Sequence, residues 1–161
     1  MVLFLLLVPI STFAQQNQPK GDVCHVYVVD VAKGKQALEK GDEKLQKEVE
    51  TIFPTFTTTI GEEETTTQTY LFPGVNNLYI IAQIFYTDES TLGDSMLLTI
   101  AVSPKKEPDK FSETTNASAE VTYDENTKGA RAKMFIKVKN REYLVGLQCD
   151  CNVKKENKKT N

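Results

Sequence analysis

The stretch ARAKMFIKVKNREYLVGLQC, residues 130–149, decides the fold class of this chain. Its side chains alternate between apolar and polar, which is the period-2 pattern of half-buried β-strands. Asn140-Arg141 is predicted to form a tight turn between two paired strands. The predicted inward face carries Ala130, Ala132, Met134, Ile136 and Val138 before the turn, and Tyr143, Val145 and Leu147 after it.

Strand patterns cover much of the remaining chain. The segments 55–60 and 65–72 flank Gly61–Glu64 and are predicted to form a hairpin. The segment 77–87 is apolar on both faces, which is typical of a central strand. Strands are also predicted over residues 23–31, 94–103 and 117–124, the last with Ala117, Ala119, Val121 and Tyr123 facing inward.

One segment, about residues 33–52, has helical periodicity. Its apolar residues Leu38, Leu45, Val49 and Ile52 recur at helical spacing among charged residues. Gly41-Asp42 is expected to interrupt the helix, with Asp42 capping a second helical piece.

These patterns predict a mainly β, α+β domain over residues 23–151. We expect an antiparallel β-sandwich or a partly open barrel of about eight strands, with one helical segment near the N-terminus. The longest loop is predicted at residues 104–116, and it could separate five strands from three. Residues 15–22 are expected to form a flexible leader and the Lys-rich residues 152–161 a disordered tail.

The first 14 residues have the layout of a secretory signal peptide. Residues 2–10 are almost entirely apolar, small residues Thr12 and Ala14 suit cleavage after position 14, and Gln15 begins a polar stretch. No Lys or Arg precedes the apolar run, and a buried N-terminal strand is the alternative. The run is too short to span a bilayer as a helix, which takes about 20 residues. We therefore expect a secreted or periplasmic protein without a transmembrane segment in its mature part.

Composition narrows the classes of partner. The chain of 161 residues has a formal net charge of −3 and 25% charged residues, as ordinary folded proteins have. A weakly acidic domain is a poor candidate for binding nucleic acid, which requires a basic face. The partners left open are a protein or a small ligand, and no cofactor is predicted.

The three cysteines Cys24, Cys149 and Cys151 are disulfide candidates. If the first and last strands are neighbours, Cys24 could bridge to either Cys149 or Cys151 and leave one thiol free. The alternatives are free thiols, or a Cys3His metal site that includes His25, the single histidine. His25 alternates to the opposite strand face from Cys24, which disfavours the metal site, and an ordinary strand histidine is the simpler interpretation.

Two further motifs lie in the segment 88–97. Gly93 to Leu97 is similar to the nucleophile block of GDSL-type esterases, an α/β family that needs a downstream Asp-x-x-His, but no histidine follows Ser95. Asp88, Ser90 and Asp94 are weak candidates for cation ligands in an acidic loop, although their order does not match an EF-hand. Asn116-Ala117-Ser118 is a glycosylation sequon.

The sequence thus predicts an exported, non-enzymatic β-rich domain with a binding or structural role. The alternative is a small-ligand carrier with a cavity inside a barrel. A thiol, metal or hydrolytic enzyme is the third and least favoured hypothesis.

Overall fold

A computed structural model of the chain describes residues 21–60, 65–87, 95–108 and 115–151. Within these residues the strands belong to two antiparallel sheets, which confirms the predicted β-rich α+β class. The elements in chain order are β1 (Asp22–Asp30), α1 (Val31–Lys40), α2 (Glu43–Glu48), β2 (Glu50–Ile52), β3 (Phe56–Thr58), β4 (Thr66–Leu71), β5 (Tyr79–Thr87), β6 (Ser95–Ser103), β7 (Thr115–Glu120), β8 (Thr122–Asp124), β9 (Gly129–Val138) and β10 (Arg141–Asp150).

The first sheet has the strand order β2-β1-β10-β9-β8, and β3 pairs with β1 at the opposite end of that strand from β2. The second sheet has the order β4-β5-β6-β7. The two sheets pack face to face and do not close into a barrel, so the sandwich describes the fold better than the barrel. The strands that precede and follow the predicted loop at residues 104–116 are neighbours in one sheet, because β7 pairs with β6.

The predicted inward faces of β9 and β10 are confirmed. Side chains alternate between buried and exposed along the whole of β9, and β1 alternates in the same way between buried and partly buried. The second sheet contributes Ile80, Ile84, Leu98 and Ile100 to the same core, each at most 1% exposed. Burial of such side chains stabilises the fold by about 1.5–3 kcal/mol each.

The β9–β10 turn lies one residue earlier than predicted. Its two central residues are Lys139 and Asn140, which have φ angles of 48° and 64°. Positive φ at both positions is what a two-residue type I′ hairpin turn requires, and its twist matches that of the flanking strands.

The predicted hairpin of residues 55–60 with 65–72 is wrong. β3 pairs with β1 in the first sheet, whereas β4 pairs with β5 in the second. The chain crosses between the sheets here because the part of β1 that β2 does not cover has a free edge. β3 pairs with that edge, whereas β4 forms the edge strand beside β5. Phe53 stacks on Tyr70 with ring centroids 4.3 Å apart and closes this side of the sandwich.

A second crossing displaces Tyr123 from its predicted inward position. β7 belongs to the second sheet and β8 to the first, so the inward and outward alternation of side chains does not continue through Val121. The Val121 N–H donates to the Met96 carbonyl at this point. Tyr123 is consequently 45% exposed.

The helical segment differs from the prediction at both ends. α1 starts at Val31, directly after β1, because the Asp30 carboxylate accepts a hydrogen bond from the Lys33 N–H and caps the helix. Ile52, predicted as helical, lies in β2 opposite Tyr27. The predicted break is confirmed, since Gly41 has a φ of 62° and ends α1 in the left-handed conformation. Asp42 caps α2 as expected, accepting from the N–H groups of Lys44 and Leu45.

Candidate functional site

The candidate site is a cavity of about 530 Å³ at one open end of the sandwich. The end of β1, the start of α1, the β9–β10 turn and the loop after β4 meet there. Its volume lies within the range of small-ligand pockets, about 300–1,000 Å³.

Asp30 organises this end of the molecule. It is the last residue of β1 and the N-cap of α1, and its N–H donates to the Val49 carbonyl at 3.2 Å. One carboxylate oxygen accepts from the Lys33 N–H at 3.2 Å, and the other accepts from Nη2 of Arg141 at 2.7 Å. Both carboxylate oxygens are therefore engaged, and Asp30 joins a strand, a helix and the β9–β10 hairpin.

Arg141 reaches Asp30 because it is the first residue of β10, immediately after the tight turn. The Asp30 side chain is only 11% exposed, whereas the Arg141 side chain is 51% exposed and lines the cavity. A guanidinium has five N–H donors, and the hydrogen bond to Asp30 engages the Nη2 nitrogen.

The other lining side chains divide into a charged rim and an apolar floor. Lys33 and Lys139 are exposed cations on the rim, and Glu48 is its exposed acid. The floor includes Val28 and Tyr143, which are almost fully buried core residues at this end of the sandwich. The Tyr143 ring packs edge-on against Phe72, with centroids 4.9 Å apart.

The titratable side chains that line the cavity are Asp30, Lys33, Glu48, Lys139, Arg141 and Tyr143. The described lining contains no histidine, cysteine or serine. His25, the single histidine, lies on the outward face of β1 and its ring contacts Tyr27 at a centroid distance of 6.4 Å.

The disulfide predicted from the sequence is present, and Cys149 is the partner of Cys24. The two residues are direct cross-strand partners in the β1–β10 pairing, with their Cα atoms 4.0 Å apart. Cys151 is the free cysteine, and it is buried at 5% exposure.

Cys151 is poorly suited to act as a nucleophile. Burial, together with the negative charge of Asp22, raises the pKa of its thiol to about 11. The protonated thiol therefore predominates at neutral pH, whereas nucleophilic attack requires the thiolate.

The proposed Cys3His metal site is not formed. Cys24 and Cys149 are bonded to each other, so neither offers a thiolate ligand, and His25 points to the other face of β1. Among the described residues, no three side chains of His, Cys, Asp or Glu lie close enough together to hold a metal ion.

The other residues predicted from sequence motifs lie away from the cavity or outside the described residues. Asp88, Ser90 and Asp94 lie outside the described residues. Ser95 begins β6 in an antiparallel sheet, which is not the α/β setting that the esterase resemblance implies. Asn116 of the sequon is exposed on β7.

A second, smaller depression of about 360 Å³ lies on the outer face of the first sheet. Tyr27 forms one wall and lies across Gly146, its partner on β10, with ring atoms touching the position that a Cβ would occupy. An aromatic ring over a strand glycine covers backbone that would otherwise be bare. Arg131, on the same depression, bonds Asp124 at 3.1 Å.

Sequence reasoning missed the site formed by Asp30 and Arg141. The two residues are 111 positions apart. The sequence patterns placed Asp30 in the predicted strand 23–31 and Arg141 in the predicted turn, and neither placement reveals that the two side chains meet.

Comparisons with protein family models, with curated proteins and with solved structures found no match to this chain.

Proposed function

We propose that this protein is an exported, non-enzymatic binding domain whose ligand site is the cavity beside Asp30 and Arg141. The observation that carries the proposal is the ion pair at this cavity, in which a nearly buried carboxylate holds a half-exposed guanidinium. Such a group is held in position by the fold and still has donors for a ligand, which is the usual design of a binding site.

Export is supported by two features of the chain. Residues 1–14 have the pattern of a signal peptide, and Cys24 and Cys149 form a disulfide of the kind that persists in oxidising compartments. None of the helices in the described part of the chain is long and apolar enough to cross a membrane.

The carrier hypothesis has less support. It required strands closed around an internal cavity, and the two sheets remain open. The space between them is occupied by side chains such as Ile80, Leu98 and Val145, which are fully buried. A surface cavity at the end of the sandwich suits a ligand that stays partly exposed.

A fragment screen by NMR on the ¹⁵N-labelled exported protein tests the proposal. We expect fragment-induced shifts to cluster at the backbone N–H of Lys33 and Val75 and at the Arg141 side chain. Lys133 and Gln148, on the other depression, serve as the internal reference. Shifts that cluster on the reference residues, or an absence of shifts, would overturn this assignment.

A further inference from the structure

We infer that the cavity at Asp30 and Arg141 binds a small organic anion, with a carboxylate or phosphate head at the Arg141 guanidinium and a short apolar body against the partly exposed Val49, Pro73 and Val75. This inference rests on the proposed function, because it names the ligand class of the same cavity.

The Arg141 guanidinium is held in place by Asp30. Its Nη2 donates to Asp30, whose other oxygen is already bound to the N-terminus of α1, so the carboxylate is fixed on both sides. The guanidinium is thereby oriented before any ligand arrives. A planar guanidinium with free N–H groups matches the geometry of carboxylates and phosphates, to which it bonds through two parallel hydrogen bonds. Preorganisation of this kind lowers the entropy lost on binding.

The cavity lining carries more positive than negative charge. The chain carries a net charge of −3, yet the cavity is lined by three cations, Lys33, Lys139 and Arg141, against two carboxylates, Asp30 and Glu48. The charges of Asp30 and Arg141 offset one another in their ion pair. The two positive charges of the lysines then face the single negative charge of Glu48. A cleft lined by an excess of one charge attracts ligands of the opposite charge.

The size and lining of the cavity limit the ligand. A cavity of about 530 Å³ is larger than an inorganic ion needs. Val28, Val138 and Tyr143 are each less than 7% exposed and offer a ligand little surface. The apolar side chains of the lining that remain partly exposed are Val49, Pro73 and Val75. An anion that also carries a short hydrocarbon portion would contact these residues and the charged groups together.

Arg131 provides a matched comparison within the same sheet. It pairs with Asp124, as Arg141 pairs with Asp30, but it lies on the outer face of the sheet, away from the cavity. The pair is more exposed, with the Asp124 side chain 31% exposed. Backbone N–H groups of Asn126 and Thr127 lower the pKa of Asp124, which marks that carboxylate as part of a local turn.

The test is a titration of the exported protein with hexanoate and with hexanamide, its neutral isostere, followed by calorimetry and NMR. We expect hexanoate to bind at least about tenfold more tightly, as the loss of a charge-assisted hydrogen bond predicts. Arg141→Met should remove this preference, Arg141→Lys should keep part of it, and the control Arg131→Met should leave it unchanged.

The outcomes separate the inference from the proposed function. Equal binding of both probes in the cavity would overturn the inference and leave the proposed function standing. If neither probe shifts the cavity resonances, both are overturned. A hexanoate preference that persists in a folded Arg141→Met protein would also overturn the inference. If that variant fails to fold, Arg141→Lys and Lys139→Met replace it, and a hexanoate preference that is undiminished in both would overturn the inference.

Inorganic phosphate distinguishes the two head groups. Displacement of hexanoate by phosphate would extend the site to phosphorylated ligands. Retention of hexanoate in excess phosphate would assign the site to carboxylates.

Discussion

Gly146 and Tyr27 face one another across β10 and β1, and the absence of a side chain at Gly146 lets the Tyr27 ring lie on the sheet. A Cβ at position 146 would overlap the Cζ and Oη atoms of Tyr27. We predict that Gly146→Ala destabilises the protein by about 1–2 kcal/mol, because an overpacked site forces neighbouring groups to shift. The measurement is urea unfolding of the oxidised protein.

The control for this prediction is the same substitution in a Tyr27→Ala background. Without the ring, Gly146→Ala should cost little, since β-propensity favours alanine over glycine at most strand positions. An equal loss in both backgrounds would show that the ring is not the cause.

The buried thiol of Cys151 supports a prediction about pH. The folded protein holds the thiol pKa at about 11, raised from 9.0 chiefly by burial. Because the raised pKa favours the protonated form in the folded state, the stability that Cys151 contributes is complete below pH 9 and is lost between pH 9 and 11. The unfolding free energy of the wild type should fall more steeply over this window than that of Cys151→Ser.

Alkylation checks the state of the same cysteine. At pH 8 iodoacetamide should leave the native protein unlabelled and should add to one thiol after unfolding without reductant. Rapid labelling of the native protein, or three labelled thiols after unfolding, would contradict the arrangement described above.

At the scale of elements, the two helix N-caps offer a direct comparison. Asp30 caps α1 from a nearly buried position and also binds Arg141, whereas Asp42 caps α2 in an exposed position. We predict that Asp30→Ala destabilises the protein by about 2 kcal/mol and Asp42→Ala by about 1 kcal/mol or less. Thermal unfolding of the two variants, under the same conditions, measures the difference.

The reason for the larger effect is that Asp30 connects three elements. Its removal leaves an uncapped helix and releases the β9–β10 hairpin from α1. If Asp42→Ala proved the more damaging substitution, the assignment of Asp30 as the organising residue of the cavity would be wrong.

At the scale of the whole molecule, the disulfide joins the first and last strands of the sandwich. Cys24 and Cys149 are 125 residues apart, so the bridge constrains nearly the entire described chain. In the chain-entropy model a loop of this length stabilises the folded state by about 4–5 kcal/mol. We predict a loss of that order for the double variant Cys24→Ala/Cys149→Ala, measured by urea unfolding.

The Cys151→Ala variant is the matched control, since it removes a buried sulfur and leaves the bridge in place. It should lose much less stability than the double variant. Equal losses would mean that packing of the sulfur atoms, and not the covalent link, accounts for the effect.

The period-2 alternation predicted which residues face the core, because that pattern depends only on neighbours along the chain. The predictions of the inward faces of β1, β9 and β10 were correct on this basis. The predictions of the helix break at Gly41 and of the capping by Asp42 were also correct. The position of Cys24 in the first strand, and of Cys149 and Cys151 at the end of the last, also made a bridge from Cys24 to one of those two cysteines predictable.

Tertiary structure decided which strands pair and which distant side chains meet. The same alternation is compatible with a hairpin of β3 and β4 or with their placement in different sheets, and the free edge beside β1 determined the result. Register selected Cys149 over Cys151 as the partner of Cys24, since it places them directly opposite one another. The cavity formed by Asp30 and Arg141 likewise depends on two strand ends that only the folded sheet brings together, since the two residues are 111 positions apart in the chain.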